Sequence, residues 1–403
     1  MSSNRPSVNW QGFDDLEPGP FLDRIKTVLS TVNFRQLEKV ALLARAQHDK
    51  REDPDLTCTA NTSLFAYGYN NLVLELAFSD HVYWIARIRY RVVGVSEARG
   101  HAMDLLSEIA TIRTVRERTS IPAPQVFAFD VSPSNEVGCP YMIMEALPGR
   151  TLGGSIAAQV PSEHLPKVAS QLAEVVYQLY GLTFDRAGRL WRGKDGDGPL
   201  EVIPVDAKPC PRTSLGWFYR QRQRDNRRAM KNHPDDPEWR AACWVLKTAV
   251  AHIIIEARAR GPFPLCHPDI HAGNLLFDDD YNLTGVVDWA QAQTVPLERL
   301  VVTPEILTSP DDPEERNNSV EVLKTLIRDH LQRLELAGRA ADASSPLVLS
   351  SYFGSKRAEI THRCTYTHFS RALWNGQRVA SLIFGDAVAW EQLVRAYGET
   401  ELT

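Results

Sequence analysis

Residues 265–290, LCHPDIHAGNLLFDDDYNLTGVVDWA, constrain this chain more than any other stretch. The segment opens on His267-Pro268-Asp269 and passes through Gly273-Asn274 into a short apolar run, Leu275-Leu276-Phe277. A polar turn follows, Asp279-Asp280-Tyr281-Asn282, and a second apolar run ends on Asp288-Trp289. Two short apolar runs joined by an Asp/Asn turn predict a β-hairpin. The hairpin places an acid before its first strand, an amide at that strand's start and a second acid at the end of its second strand.

Phosphoryl transfer needs little covalent help from a protein. It needs an oriented hydroxyl, a metal that neutralises phosphate charge, and ligands for that metal. Asp269 is placed to accept the proton of an attacking hydroxyl. Asn274 and Asp288 offer the hard oxygens that Mg²⁺ prefers. His267, Asp269, Asn274 and Asp288 fill the four places of H-x-D-x-x-x-x-N followed one hairpin later by a metal-binding Asp. Trp289 stands where protein kinases carry Phe. The stretch resembles the aminoglycoside phosphotransferase and choline kinase family of small-molecule kinases, where the same loop followed by I-D-W is typical. The competing reading makes Asp269 a helix cap, 278–282 an ordinary turn and Asp288 a strand-end acid. It requires four matched positions by accident.

With 403 residues the chain is long enough for two lobes and a sizeable core. Its net charge of −5 is mild, and no basic tract is long enough for a nucleic-acid footprint. Six scattered cysteines without a C-x-x-C pair speak for a reducing compartment, here the cytoplasm. The N-terminal residues lack the apolar core of a secretory signal, and no apolar run reaches membrane-spanning length. The expected partner is a small hydroxylated molecule, with no nucleic acid and no membrane. The residues do not specify an oligomeric state.

Residues 21–48 carry helical periodicity and read as a packing extension. A β-rich region follows. Gly68-Tyr69-Asn70-Asn71 leads into a strand over 72–78, and a second strand covers 82–89. A loop with Gly and Asn between strands lets backbone N–H groups approach phosphates; the resembled family has a sparse G-x-x-N-type loop here. The second strand, VYWIARIRY, carries Arg87 and Arg89 and no Lys. The two arginines lie two apart and share a face, so periodicity alone does not separate them. Arg87 is preferred because Ile85 then stands where a small apolar residue would cover adenine. An arginine grips phosphate oxygens through a bidentate fork, unlike the lysine of the kinase pattern.

Residues 101–118 read as a helix with an apolar stripe at Leu105, Ile109, Ile112 and Val115. Glu108 beside this stripe is expected to orient Arg87. Two prolines at 122 and 124 forbid continuation. Strands are expected over 125–130 and 141–145. In the resembled plan the second runs into the hinge, with main-chain contacts to adenine near Glu145 and Leu147 and Met144 lining the pocket.

Beyond Gly149 the chain turns helical. Ser162 is expected to cap a helix through Leu179, and 185–212 reads as a long loop. Residues 213–230 form a helix whose arginines 220, 222, 224, 227 and 228 read as a solvated face. Another helix covers 238–260. The acidic run 311–315 precedes a helix to about 337 and suits a helix N-terminus; in the resembled family such a run would alternatively face a cationic substrate. Further helices fill 346–397.

The resemblance spans roughly 60–300, and stretches such as GCPYMIMEALPG and HPDIHAGNLLFD look much like fungal phosphotransferase-family proteins. It implies an α+β, bilobal protein-kinase-like fold with a β-rich N-lobe and a mainly helical C-lobe. The expected domains are a helical extension over 1–55, an N-lobe over 56–150 and a C-lobe over 151–403. The implied reaction is ATP-dependent phosphorylation of a small-molecule hydroxyl. In it Asp269 acts as base, His267 braces the loop, Asn274 and Asp288 hold Mg²⁺, and Arg87 steadies the phosphates. The alternative is a pseudokinase, a nucleotide-binding module without transfer, which the missing lysine and the sparse glycines would suit.

Overall fold

The computed structural model describes residues 5–90, 95–206, 208–308, 312–338, 348–366 and 368–402. They divide into two compact units. The first comprises the described residues up to Thr151 together with Trp191–Leu200 and Asn274–Gln291. The second comprises Leu152–Leu190, Glu201–Gly273 and the described residues from Ala292 onward.

The first unit is built on a five-stranded antiparallel sheet. In chain order its elements are α1 (Pro20–Thr31), α2 (Phe34–Asp49), β1 (Cys58–Tyr67), β2 (Asn71–Phe78), β3 (Tyr83–Arg89), α3 (Val95–Arg118), β4 (Val126–Asp130) and β5 (Tyr141–Glu145). The strands lie in the order β1-β2-β3-β5-β4. Alternation decides what each face meets. Leu72, Leu74 and Leu76 of β2, Trp84, Ala86 and Ile88 of β3, and Tyr141 and Ile143 of β5 join Ile25, Val28, Leu37 and Ala41 of α1 and α2 in one buried cluster. The N-terminal helices are therefore part of this core. β1 begins nine residues before Tyr67, and a register shift between Ala60 and Phe65 breaks its alternation.

The expected hairpin forms. Leu275–Phe277 and Leu283–Val286 pair antiparallel, and Arg150–Thr151 adds a third strand. Its turn is closed by Asp278, whose carboxylate accepts from the Asp280 and Asn282 N–H groups at 3.0 and 2.7 Å. Gly149 makes the close approach possible: its φ is +95°, and a Cβ there would stand 2.4 Å from Thr284 Oγ1 and 2.7 Å from the Phe277 carbonyl oxygen.

The second unit is mainly helical. Leu165–Gly181 packs on Glu314–Gly338, and Pro237–Ile253 packs on both Ser214–Asn232 and Ala372–Phe384. A small sheet, Thr183–Phe184, Phe263–Cys266 and Gln293–Thr294, delivers the chain to His267.

Four local expectations are corrected. Ser162 is no cap: the helix N-cap is His164, whose backbone bonds Pro161, and the Ser162 hydroxyl reaches Glu163. The span 185–212 is not a bare loop; it holds short strands at Arg189–Trp191 and Glu201–Ile203. Within the first unit, Arg113 ties it down by donating to the Gly196 carbonyl and the Asp197 carboxylate, both at 2.6 Å. The helix expected over 238–260 stops at Ile253. Arg222 does not belong to a solvated face: it is buried, and donates to Asn226 Oδ1 at 2.7 Å and the Cys364 carbonyl at 3.1 Å.

Candidate active site

In the first unit the sheet face opposite the N-terminal helices carries the candidate nucleotide residues. Register sets Val73, Arg87 and Met142 side by side, and Glu75, Ile85 and Met144 in the next row. Ile85 and Met144 are thus neighbours, both nearly buried. Arg87 donates to Glu108 on α3 through Nη1, and to Asp288 Oδ1 through Nη2 at 3.2 Å. Burial pulls the Arg87 guanidinium downward, but Glu108 and Asp288 together hold its pKa above the ordinary value. Arg89 points to another role: its Nε lies 3.4 Å from His101 Nδ1, and burial lowers its pKa. Both arginines are buried, so neither is a solvated strand residue.

Asp288 adopts the left-handed region with φ 58°, uncommon for a residue with a side chain. Trp289 explains how it is held there. Its ring is fully buried, and its indole N–H donates to the Val286 carbonyl at 2.9 Å. The Asp288 side chain remains about half exposed. The Val287 N–H donates to the Asn274 carbonyl at 3.0 Å, which ties the amide's backbone to the strand that delivers Asp288.

The loop of Gly68 and Asn70 is a tight turn. The Gly68 N–H donates to the Asn71 carbonyl at 3.0 Å, and the Asn70 carbonyl accepts from Tyr90 at 3.1 Å. Arg24 of α1 donates to the Tyr69 carbonyl at 3.4 Å and lies over its ring. At the hinge, the Glu145 N–H is already committed to the Gln125 carbonyl at 2.8 Å, while its carboxylate accepts from the Gln125 N–H and Arg116. Leu147 packs close to Gly285 of the hairpin.

In the second unit, His267 is buried and its Nδ1 accepts from the Asp269 N–H at 3.2 Å. The Asp269 carboxylate has a neighbour that the sequence pattern did not single out. His271 Nε2 lies 3.4 Å from Asp269 Oδ2. His271 Nδ1 accepts from the Gly273 N–H at 3.0 Å, so in the neutral ring the proton sits on Nε2 and points to Asp269. Gly273 permits this: a Cβ there would meet His271 Cε1 at 2.8 Å. The bond from His271 lowers the Asp269 pKa despite burial, and the Arg299 charge adds to it.

Three further side chains brace this loop. Glu305 accepts the Ala272 N–H and the Ile156 N–H, each at 2.8 Å. Thr303 Oγ1 donates to the Ile270 carbonyl at 2.6 Å, and Arg299 donates to the Pro268 carbonyl at 3.3 Å. Val302-Thr303-Pro304-Glu305 carries no signature that foretells this; only the long-range contacts reveal it. In the acidic run, Asp312 pairs with Arg316 at 2.6 Å and Glu314 and Glu315 occupy the first helical turn, while Asp311 lies outside the described residues.

The donor set suits magnesium held jointly with phosphate oxygens. Among the described residues no group of three or more His, Cys, Asp or Glu side chains forms a metal cage. Mg²⁺ is ordinarily held by one or two carboxylates plus substrate phosphates.

A model of the phosphotransferase enzyme family matches residues 73–334, and the chain belongs to that family. Its fold is α+β and kinase-like, with a β-rich N-terminal unit and a mainly helical C-terminal one. A subtelomeric hrmA-associated cluster protein of Aspergillus fumigatus is 31% identical over 100 residues, covering 25% of this chain and 19% of that protein. The Candida albicans protein named altered inheritance of mitochondria protein 9, mitochondrial, is 22% identical over 204 residues, covering 49% of this chain and 32% of that one. The chain thus matches about a fifth to a third of the length of these curated relatives. Among solved structures, a macrolide 2′-phosphotransferase from Brachybacterium faecium aligns at TM-score 0.44 and 14% identity, covering 87% of this chain and 98% of that one. A thermostable mutant of the aminoglycoside phosphotransferase APH(4)-Ia, in ternary complex with ADP and hygromycin B, aligns at TM-score 0.44 and 16% identity, covering 86% of this chain and 98% of that one. No described helix is long and apolar enough to cross a membrane.

Proposed function

We propose that the chain transfers the γ-phosphoryl group of ATP to a hydroxyl of a small molecule. The observation that carries this reading is the buried Arg87, joined to Glu108 and to Asp288 at once. Family membership sets the reaction class, and the three residues supply its electrostatics.

Each residue has a role in this reading. Asp269, ionised and oriented by His271, accepts the hydroxyl hydrogen and aims the oxygen, a task worth roughly 10²–10⁴ in rate. His267 fixes the loop through the Asp269 N–H. Asn274 and Asp288 hold Mg²⁺, which when bound spreads the charge of the phosphate oxygens. Arg87 steadies the non-transferred phosphates, and the backbone of the Gly68–Asn70 turn lies against them. Ile85 covers one face of the adenine, and Met144 beside it lines the pocket. At the hinge Leu147 offers its backbone, and the contact at Glu145 falls to the carbonyl because its N–H is taken. The expected domains, 1–55, 56–150 and 151–403, remain part of this reading, as does a cytoplasmic setting with no nucleic-acid or membrane partner. Fractionation decides the compartment.

The test is ADP release with Mg²⁺, ATP and a panel of amino-alcohols, aminoglycosides, sugars and hydroxylated secondary metabolites. Turnover that disappears in Asp269→Ala supports the reading. A protein that binds ATP yet turns over no acceptor supports the pseudokinase alternative. The observation behind that alternative is that both Arg87 Nη atoms are committed to carboxylates of this chain.

A further inference from the structure

The helical unit holds an arginine that the described residues satisfy only in part. Between residues 356 and 384 the chain places five cations, Lys356, Arg357, Arg363, Arg371 and Arg378, against one carboxylate, Glu359. Arg357 is occupied with the Ile254 carbonyl. Arg378 takes Glu359 Oε1 at 2.9 Å. Arg363 is left with the same oxygen at 3.8 Å and the Thr308 carbonyl at 3.3 Å. It is only 7% exposed, and its buried Nε has no hydrogen-bond partner among the described residues. Its guanidinium lies 4.4 Å from the centroid of the Trp374 ring. Burial drags its pKa below the ordinary value; Glu359 opposes this, while Arg378 and Arg371 add to it.

A buried guanidinium with an open donor is costly unless an acceptor completes it. The planar fork matches a carboxylate or a phosphate. The position is connected to the candidate base through one segment. Residues 299–308 bond the catalytic loop at one end, Arg299 to Pro268 and Thr303 to Ile270, and bond Arg363 at the other through Thr308.

We propose that Arg363, Arg371 and Arg378, against the Trp374 ring, form the receptor for an anionic group, carboxylate or phosphate, carried by the acceptor substrate. The anion site stands on the cluster itself; its assignment to the acceptor rests on the phosphotransferase reading. Its consequence is selectivity for acidic hydroxylated acceptors over cationic ones.

The probes are glycerate and glycerol 3-phosphate, with glycerol as neutral control, added to the full chain at matched ionic strength and followed by calorimetry and thermal shift. Saturable binding of either anion and none of glycerol is expected, and the two anions distinguish carboxylate from phosphate. Arg371 is exposed, so Arg371→Gln should keep the fold and weaken binding roughly ten-fold or more. Arg363→Gln should abolish it, with circular dichroism reporting its folding. Asp269→Ala should bind the anions as well as wild type does. In turnover, an anionic acceptor should show a KM that rises in Arg371→Gln at unchanged kcat. Absence of saturable anion binding, or equal binding by Arg371→Gln and wild type, overturns the site. If no acceptor is phosphorylated, the phosphotransferase reading fails while the binding arm still decides the anion site.

Discussion

Arg87 is shared between two carboxylates of different standing: Glu108, buried on α3, and Asp288, half exposed at the end of the hairpin. The buried partner fixes the guanidinium, and the exposed one is itself the candidate metal ligand. Truncating Arg87 to Ala leaves Glu108 buried and uncompensated, which should cost about 3–5 kcal/mol of stability. Glu108→Gln should cost less and still weaken ATP binding, because Arg87 loses its orientation. Urea denaturation and the KM for ATP check both. An unchanged KM in Arg87→Ala would move the phosphate contact to Arg89.

Asp269 and His271 form the second testable pair. The bond from His271 lowers the Asp269 pKa below its ordinary 3.8. Removing it in His271→Ala should raise that pKa toward the ordinary value, so the acid limb of kcat/KM shifts to higher pH. His271→Gln, which retains a donor, should restore much of the original profile. Identical acid limbs in wild type and His271→Ala would show that His271 does not orient the carboxylate.

His362 supplies a pH dependence of stability. Burial, with Arg299 and Arg363 nearby, lowers its pKa from 6.5 to about 3. The unfolded chain therefore binds a proton that the folded chain refuses between those values. Its contribution to stability is complete above pH 6.5 and is lost on acidification, by up to about 1.4 kcal/mol per pH unit. His362→Gln should remove that slope. Parallel stability curves for the two proteins between pH 7 and 5 would contradict the assignment.

Gly149 offers a purely steric prediction. At φ +95°, with a Cβ 2.4 Å from Thr284 Oγ1, Gly149→Ala should destabilise the first unit by roughly 2–4 kcal/mol. Thermal unfolding reads this out, and a neutral substitution would show that the strand at Arg150–Thr151 relaxes freely.

What was legible in the sequence is what local spacing determines. The hairpin, its two acids and its amide lie within one continuous segment, and the apolar stripe of α3 fixes the face beside which Glu108 lies, its pairing with Arg87 being what the resemblance implies. Alternation could not choose between Arg87 and Arg89, because it reports a face and not a partner. Long-range side-chain contacts separate their surroundings: Arg87 reaches Glu108 and Asp288, and Arg89 lies beside His101. His271 was hidden for a related reason: its tautomer follows from the Gly273 N–H, a contact made only once the loop closes. Glu305 and Arg222 were illegible because their partners, Ala272 and Cys364, lie 33 and 142 residues away. Ser162 misled because a good capping residue sat two positions before a chain that starts its helix on a Pro161 turn.

The most direct measurement follows the γ-phosphoryl group by ³¹P NMR in wild type, Asp269→Ala and Asp288→Ala, with Mg²⁺, ATP and the acceptor panel. A new phosphate monoester on an acceptor hydroxyl is expected in wild type and none in either variant, with ATP binding retained by Asp269→Ala and its metal dependence lost in Asp288→Ala. Phosphomonoester formed at the wild-type rate by Asp269→Ala would contradict it.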